Sequence, residues 1–170
     1  HGPTGANPLN IVNNGICVSK DGTERFTDEG QTYVQMARDT AAKTSDNWAF
    51  MIVDEDVNNL KVLASDWKSY AKNHAPVYKA DTIEALAKEA GLDPNKLTKI
   101  VDEYNEACAN NTRAKLVPPN TLKVARPVKK APFYAVPFQG GMTATFGGPL
   151  VNTDAQVLDT ENQPIPGLYA

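Results

Sequence analysis

The sequence has few of the residues that build metal centres and disulfide frameworks. Its only cysteines are Cys17 and Cys108, and its only histidines are His1 and His74. Because neither histidine has a cysteine or carboxylate at the spacing of a metal ligand set, we predict no metal site. Unpaired cysteine is among the most buried residue types, so we predict that both thiols are free and buried.

Long apolar runs and basic stripes are also missing. No run approaches the roughly 20 apolar residues that cross a bilayer, so we expect no membrane-spanning helix. Acidic and basic residues are interspersed and give a formal net charge of -3, whereas a nucleic-acid-binding surface needs a basic stripe. We therefore expect no nucleic acid partner.

Familiar nucleotide-binding and catalytic motifs do not occur. The chain has no GxGxxG fingerprint, no P-loop and no GxSxG elbow. The acidic run Asp54–Asp56 is typical of a strand-to-helix junction, where acids cap the helix more often than they bind a cation. The start, His1-Gly2-Pro3, is neither a signal peptide nor an ordinary initiation site, and the chain stops directly after apolar residues. We therefore expect a piece of a longer protein.

Hydrophobic periodicity and turn residues predict a mixture of strands and helices. The predicted strands are 16–18, 48–53, 77–80, 132–138, 150–152, 156–158 and 165–169, and the predicted helices are 31–44, 57–70, 82–90 and 94–109. Asp21-Gly22 is the predicted tip of a hairpin whose return arm is 24–26. Asp81 and Asp93 are the predicted N-caps of the last two helices. Because the order lacks βαβ alternation, the predicted class is α+β.

The glycine pair Gly147-Gly148 needs either a positive φ angle or close approach by another group. One interpretation is a β-turn or bulge, and the other is a backbone packed against a flat ligand. The residues alone lead no further than an α+β domain of something larger.

Four blocks near the C-terminus resemble one family closely. In chain order they are Ala-Pro-Phe-Tyr-Ala-Val at 131–136, Thr-Phe-Gly-Gly at 145–148, the segment 152–159, and Pro-Ile-Pro-Gly-Leu-Tyr-Ala at 164–170. Their order and spacing are similar to the C-terminal part of the fumarate reductase flavoprotein family, which includes urocanate reductase, 3-ketosteroid dehydrogenases and tricarballylate dehydrogenase. Residues 21–29 and 82–105 also resemble that family, so the likeness covers roughly 15–170.

The resemblance implies a fold and a cofactor. It implies a substrate-capping domain over 1–130, with a small mixed sheet and several helices, and a return segment of β-strands over 131–170. That segment would lead to the FAD-binding domain of the same parent chain, whose Rossmann part is absent here. FAD is thus the implied cofactor of the full-length protein, contacted by Gly147 and Gly148, and we expect this chain alone to retain little of it.

The implied chemistry is hydride transfer between the flavin and a carbon–carbon bond, with a cap residue moving the proton. The family pattern "NE-x-x-x-RD" places Tyr33 at the arginine position when aligned without a gap, and Arg38 when aligned with one. Arg38, which we favour, keeps the chemistry of a reductase of unsaturated carboxylic acids. Tyr33 points to a dehydrogenase or a less acidic substrate, and a non-catalytic ligand-binding module is a further alternative.

Three more residues are candidates for binding a small carboxylate or ketone substrate. Glu29 occupies the glutamate of the same pattern. Fumarate-reducing members carry a histidine just before "T-x-GG", and Thr143-Ala144 stand at that place here, where Thr143 offers a hydrogen bond but no charge. Thr145 is the threonine of that motif. The missing histidine argues against fumarate itself and leaves the substrate open.

Overall fold

In the computed structural model, which describes residues 10–141 and 147–170, the chain divides into two units between Gly140 and Gly141. The predicted division at 130/131 concerns the roles of the two parts and stays a prediction. In the structure, the strand that follows residue 130 belongs to the sheet of the first unit.

The first unit is built on a four-stranded antiparallel sheet of order β1-β2-β4-β3. Its elements are β1 (Ile16–Ser19), α1 (Tyr33–Lys43), β2 (Trp48–Val53), α2 (Glu55–Asn58), α3 (Ala64–Lys72), β3 (Tyr78–Ala80), α4 (Ile83–Ala90), α5 (Pro94–Ala109) and β4 (Phe133–Gln139). The central strands β2 and β4 pair along their whole length, from Trp48 opposite Gln139 to Val53 opposite Tyr134.

Side chains of the central strands alternate between two apolar clusters, as the pleat requires. Met51 and Val136 pack into one cluster together with residues of α1, α2 and α3. Ile52 and Ala135 pack into the other cluster, which contains residues of α4 and α5. The sheet is therefore a middle layer with helices on both faces, and the α+β class is confirmed for the described residues.

The second unit contains a two-stranded antiparallel sheet of β5 (Gln156–Leu158) and β6 (Pro164–Tyr169). The strand predicted at 150–152 is reduced to a single bridge between Val151 and Val157. The return arm of the first predicted hairpin is likewise a single bridge, between Val18 and Arg25, and Gly22 at its tip has φ +70°.

Two predicted helix boundaries are wrong for local reasons. The helix predicted over 57–70 is broken, because the Asn59 side chain donates to the Glu55 carbonyl at 2.8 Å and Leu60 is extended (φ -67°, ψ 126°). Asparagine competes with the helix through such local hydrogen bonds. Thr82, not Asp81, caps α4, since its hydroxyl accepts from the Ala85 amide at 3.1 Å.

Other predicted caps are confirmed. Asp93 accepts from the Asn95 and Lys96 amides, and Asp54 accepts from the Val57 amide, so Asp54 caps a helix as predicted.

Cys17 is buried as predicted, whereas Cys108 is only partly buried, and both are free thiols. In the described ranges no helix has the length and apolarity to cross a membrane, and no group of three metal-ligating side chains comes together.

Candidate functional site

Helix α1 carries both candidate proton donors at exposed positions. The helix begins at Tyr33, after the Thr32 hydroxyl accepts a hydrogen bond from the Gln35 amide at 3.3 Å. Its buried side is made of Met36, Asp39 and Thr40. Tyr33 is 51% exposed and Arg38 is also exposed, so both candidates are accessible in this unit.

Tyr33 and Arg38 do not share a face of α1. Five residues along an α-helix correspond to a rotation of about 140° between the two side chains. Within residues 10–141 and 147–170, the Arg38 guanidinium has no hydrogen-bond or ion-pair partner. A free guanidinium has five donors and can bind a carboxylate through two parallel hydrogen bonds.

Glu29, a predicted substrate ligand, is fully buried (0% exposed) in the structure. Its Oε1 accepts from the Arg25 Nε at 3.1 Å and from the Cys17 amide at 3.0 Å. Its Oε2 accepts from the Arg25 Nη2 and, at 2.9 Å, from the Asn120 side chain. Four internal donors therefore use the carboxylate, and this geometry does not favour the predicted contact with substrate.

The turn before α1 is held by a second carboxylate, that of Asp28. Its Oδ1 accepts from the Gly30 and Thr121 amides at 2.8 and 2.9 Å, and its Oδ2 accepts from the Thr121 hydroxyl at 2.7 Å. Burial works against ionisation, but these hydrogen bonds outweigh it and hold the pKa of Asp28 below its usual value.

The end of β4 lies against α1. A Cβ placed on Gly140 would come within 2.6 Å of the Ala37 carbonyl oxygen and 2.7 Å of the Asn47 Oδ1. The Asn47 amide group also bonds the Gly140 backbone twice, donating to its carbonyl at 2.6 Å and accepting from its N–H at 3.2 Å. The chain therefore passes α1 immediately before Thr143 and Thr145, which themselves lie outside the described residues.

Gly147 and Gly148 belong to the second unit and are exposed. Gly147 has φ +110°, which is the first of the two alternatives predicted for this pair. A Cβ on either glycine would meet no described atom within 4 Å. The bare backbone thus leaves room for a flat ring such as the flavin, although the cofactor contact itself stays a prediction.

One cleft of the first unit is not lined by the predicted site residues that the structure describes. Its volume is about 610 Å³, and its walls include Arg25, Lys99, Tyr104, Leu116 and Pro118. None of the predicted site residues that the structure describes lines it. The predicted residues instead lie on the open surface of α1, in the buried turn before it, and in the second unit.

Sequence reasoning missed Asn47, Asn120 and Thr121, the three residues that hold the surroundings of α1. Their signal is weak because the contacts are distant in sequence, with Asn120 lying 91 residues from Glu29. Asn47 has φ 54°, in the left-handed region where asparagine is enriched. The residue type was therefore a weak signal of an irregular backbone at this position.

Comparison with known proteins bears on the role of these residues. The family model described as "FAD binding domain" matches residues 11–170. The chain is 34% identical over 156 residues to a probable fumarate reductase of Shewanella frigidimarina, covering 91% of this chain and 25% of that protein. It is 27% identical over 166 residues to a urocanate reductase of Eggerthella lenta, covering 95% and 26% respectively.

Two solved structures share the fold. One is the open conformation of a flavocytochrome c3 fumarate reductase, with a TM-score of 0.68 and 30% identity, covering 93% of this chain and 27% of that one. The other is 3-ketosteroid Δ1-dehydrogenase from Sterolibacterium denitrificans, with a TM-score of 0.67 and 26% identity, covering 95% and 33%.

The chain thus spans about a quarter of the length of the curated relatives it matches first. The family match covers residues 11–170, which include α1, the turn before it and the glycine pair. The two curated relatives are named as reductases. The chain belongs to the FAD-binding domain family of flavoprotein oxidoreductases that contains the fumarate and urocanate reductases.

Proposed function

We propose that this chain is the substrate-capping part of an FAD-dependent reductase that saturates the C=C bond of a small unsaturated carboxylic acid. The observation that carries the proposal is the exposed guanidinium of Arg38, which has no partner among the described residues. It lies on a helix that a buried hydrogen-bond network fixes in place.

Arg38 has two roles in this proposal. Its fork of N–H donors binds the substrate carboxylate and orients the neighbouring double bond. It also delivers a proton to one carbon of that bond, and later recovers a proton from solvent. Because a guanidinium is a poor acid in water, the proposal requires that water be excluded from the site when the substrate is bound.

FAD, when bound, supplies the hydride for the other carbon of the double bond. From this chain, the exposed backbone of Gly147 and Gly148 is the part that fits against a planar ring, because no side chain stands in the way. Thr143 and Thr145, two residues or more before that pair, are proposed to donate hydrogen bonds to the substrate.

The substrate class follows from the relatives and from the charge of Arg38. Both curated relatives described above are named for substrates that are unsaturated carboxylic acids, fumarate and urocanate. A cationic side chain one helical turn from the exposed apolar residues Val34 and Ala41 suits an acid with a short apolar or aromatic body.

A dehydrogenase is the second candidate, with Tyr33 as the residue that moves the proton. The phenol is 51% exposed at the first position of α1, and the fold is also shared with a 3-ketosteroid Δ1-dehydrogenase. In this case the substrate would be a ketone, and Tyr33 would take a proton from the carbon beside the carbonyl group.

The deciding experiment uses the parent protein with its flavin reduced in the absence of oxygen. Fumarate, urocanate, an aryl acrylate and a 3-ketosteroid are added separately, and reoxidation is followed by flavin absorbance. We expect one acid to reoxidise the flavin, and Arg38→Ala to slow that step about 100-fold or more, as loss of a general acid does.

The matched controls are Tyr33→Phe and Arg126→Ala, an exposed arginine outside α1. Both should react at the wild-type rate. Loss of activity in Tyr33→Phe but not in Arg38→Ala would assign the chemistry to Tyr33 and support the dehydrogenase. A parent protein that binds no flavin would leave only the ligand-binding module.

A further inference from the structure

We propose that Glu29 and Asn120 are positioning residues: together they form a brace that sets the place of α1, and hence of its proton-transferring side chain. This inference rests on the proposed function for its catalytic consequence, but its structural part can be tested separately. The brace is defined here as Arg25, Asp28, Glu29, Asn120 and Thr121.

The first step concerns the segment 118–122, which crosses the turn before α1. Arg25 donates to the Pro118 carbonyl at 2.7 Å while it pairs with Glu29. Asn120, which is 3% exposed, donates to Glu29 and accepts from Arg113 at 2.8 Å. Every one of these groups is paired, so removing one partner leaves another buried polar group unsatisfied.

The second step concerns the lack of room between this segment and the turn. A Cβ on Gly30 would come within 2.4 Å of the Thr121 hydroxyl oxygen and 2.5 Å of the Leu122 amide nitrogen. Asp28 bonds both the amide and the hydroxyl of Thr121. The turn therefore cannot slide along the segment without breaking these hydrogen bonds or creating a clash.

The third step leads from the turn to the helix. The side chain of Asn13 donates to the Glu29 and Gln31 carbonyls at 2.6 and 3.1 Å, so the backbone up to the cap of α1 is held as well. One and a half turns into α1, Asp39 accepts from the Thr27 hydroxyl at 2.7 Å. The braced segment thus grips α1 before its start and on its buried side.

The consequence for catalysis is a matter of distance. Tyr33 begins α1 four residues after Glu29, and Arg38 follows in the next turns. A misplacement of about 1 Å in a reacting group can lower a rate by roughly 100-fold. Loosening the brace should therefore slow the chemical step while leaving the groups that touch the substrate unchanged.

The test compares Asn120→Ala with Asn105→Ala in the parent protein. Asn105 is the matched control because its side chain both donates and accepts a hydrogen bond, as that of Asn120 does, but both of its bonds go to Val128, at 2.8 and 2.7 Å. We expect Asn120→Ala to lower kcat for reduction of the unsaturated acid about tenfold or more, with KM within about twofold. Asn105→Ala should leave both constants near the wild-type values.

Amide hydrogen exchange of residues 33–40 in the same proteins gives the second readout, which does not require turnover. Exchange should accelerate in Asn120→Ala and not in Asn105→Ala. If Asn120→Ala does not fold, Thr121→Val replaces it, since this change removes only the hydroxyl bond to Asp28 at an exposed position.

The outcomes separate the two proposals. Equal exchange and equal kcat in the two asparagine variants would overturn the brace, whatever the reaction is. A wild-type parent protein that reduces none of the acids, yet shows the expected difference in exchange, would overturn the proposed function and leave the structural brace standing.

Discussion

At the scale of single residues, buried carboxylates connect distant parts of the first unit. Asp66 accepts from the Asn10 and Ile11 amides, which ties the start of the described chain to α3. Asp54 accepts from the Lys129 and Lys130 amides and so holds the approach to β4. Such hydrogen bonds to a charged acceptor are stronger than neutral ones, about 1.5–3 kcal/mol each in net effect.

Asp39 gives this pattern a pH dependence. Burial opposes ionisation, but the hydrogen bond from Thr27 and the nearby Lys43 ammonium outweigh it and hold the pKa of Asp39 below its usual value. A carboxyl whose pKa is lower in the folded than in the unfolded state stabilises the fold above the unfolded pKa, about 3.9. That contribution is lost as the pH falls through the lower, folded pKa.

We therefore predict that Asp39→Asn lowers the free energy of unfolding at pH 7 and that the difference from wild type shrinks as the pH falls below about 4. Thermal unfolding of both proteins, followed from about pH 3, below the usual pKa of Asp, to about pH 7, measures this difference in stability. Asp102→Asn, at an exposed position of α5, is the control and should show no such trend. A difference that stays constant across the range would contradict the prediction.

At the scale of elements, the position of α1 depends on its contacts with loops as well as on the apolar cluster that it shares with α2 and α3. The 25–30 turn and the end of β4 each contact α1, and the 118–122 segment contacts that turn. The elements themselves were largely predictable, because apolar periodicity and caps such as Asp93 are local signals. The brace was not, since residues 112–130 have no periodicity and their partners lie far away in sequence.

The same distinction explains the errors at element boundaries. Apolar residues at helical spacing continue through 57–70, so the pattern predicts one helix there. It does not show the hydrogen bond from the Asn59 side chain to the Glu55 carbonyl at the end of α2. Asp81 and Thr82 are both good capping residues, and only the backbone decides that Thr82 takes the position. Apolar periodicity indicates which side of a helix is buried, whereas a single local hydrogen bond decides where the helix begins or ends.

The contact between β4 and α1 gives a prediction at this scale. Gly140→Ala places a methyl group within 2.6 Å of the Ala37 carbonyl oxygen, so the backbone must shift. We expect a loss of about 1–3 kcal/mol, seen as a fall in Tm of at least about 3 °C. Gly141→Ala is the matched control, because a Cβ there meets nothing within 4 Å. Equal Tm values for the two variants would show that the contact is not tight.

At the scale of the whole molecule, the described residues form two sheets, and the sequence has no P-loop motif. Its glycines do not form the GxGxxG pattern that places a pyrophosphate at a helix N-terminus. The resemblance to the fumarate reductase flavoproteins was confirmed by the family match, which covers residues 11–170. Which part of the sequence serves as cap, and which as return segment, stays a prediction.

A prediction about the cofactor belongs here. The purified chain of 170 residues should carry little or no flavin, because the contact proposed here is limited to the backbone of Gly147 and Gly148. The visible absorbance of the purified chain, compared with that of the parent protein, measures the bound fraction. Stoichiometric FAD on the chain alone would refute this prediction and require a binding site other than the one proposed.

The place of β4 in the sheet has a consequence for synthesis on the ribosome. β4 lies between β2 and β3, yet it is the last of the four strands to be made, ending at Gln139. Until it emerges, β2 has only β1 beside it and β3 has no partner strand. Nascent chains with unpaired apolar strand edges are prone to aggregate, so we expect this sheet to be most prone to aggregation between the translation of Val53 and that of Gln139.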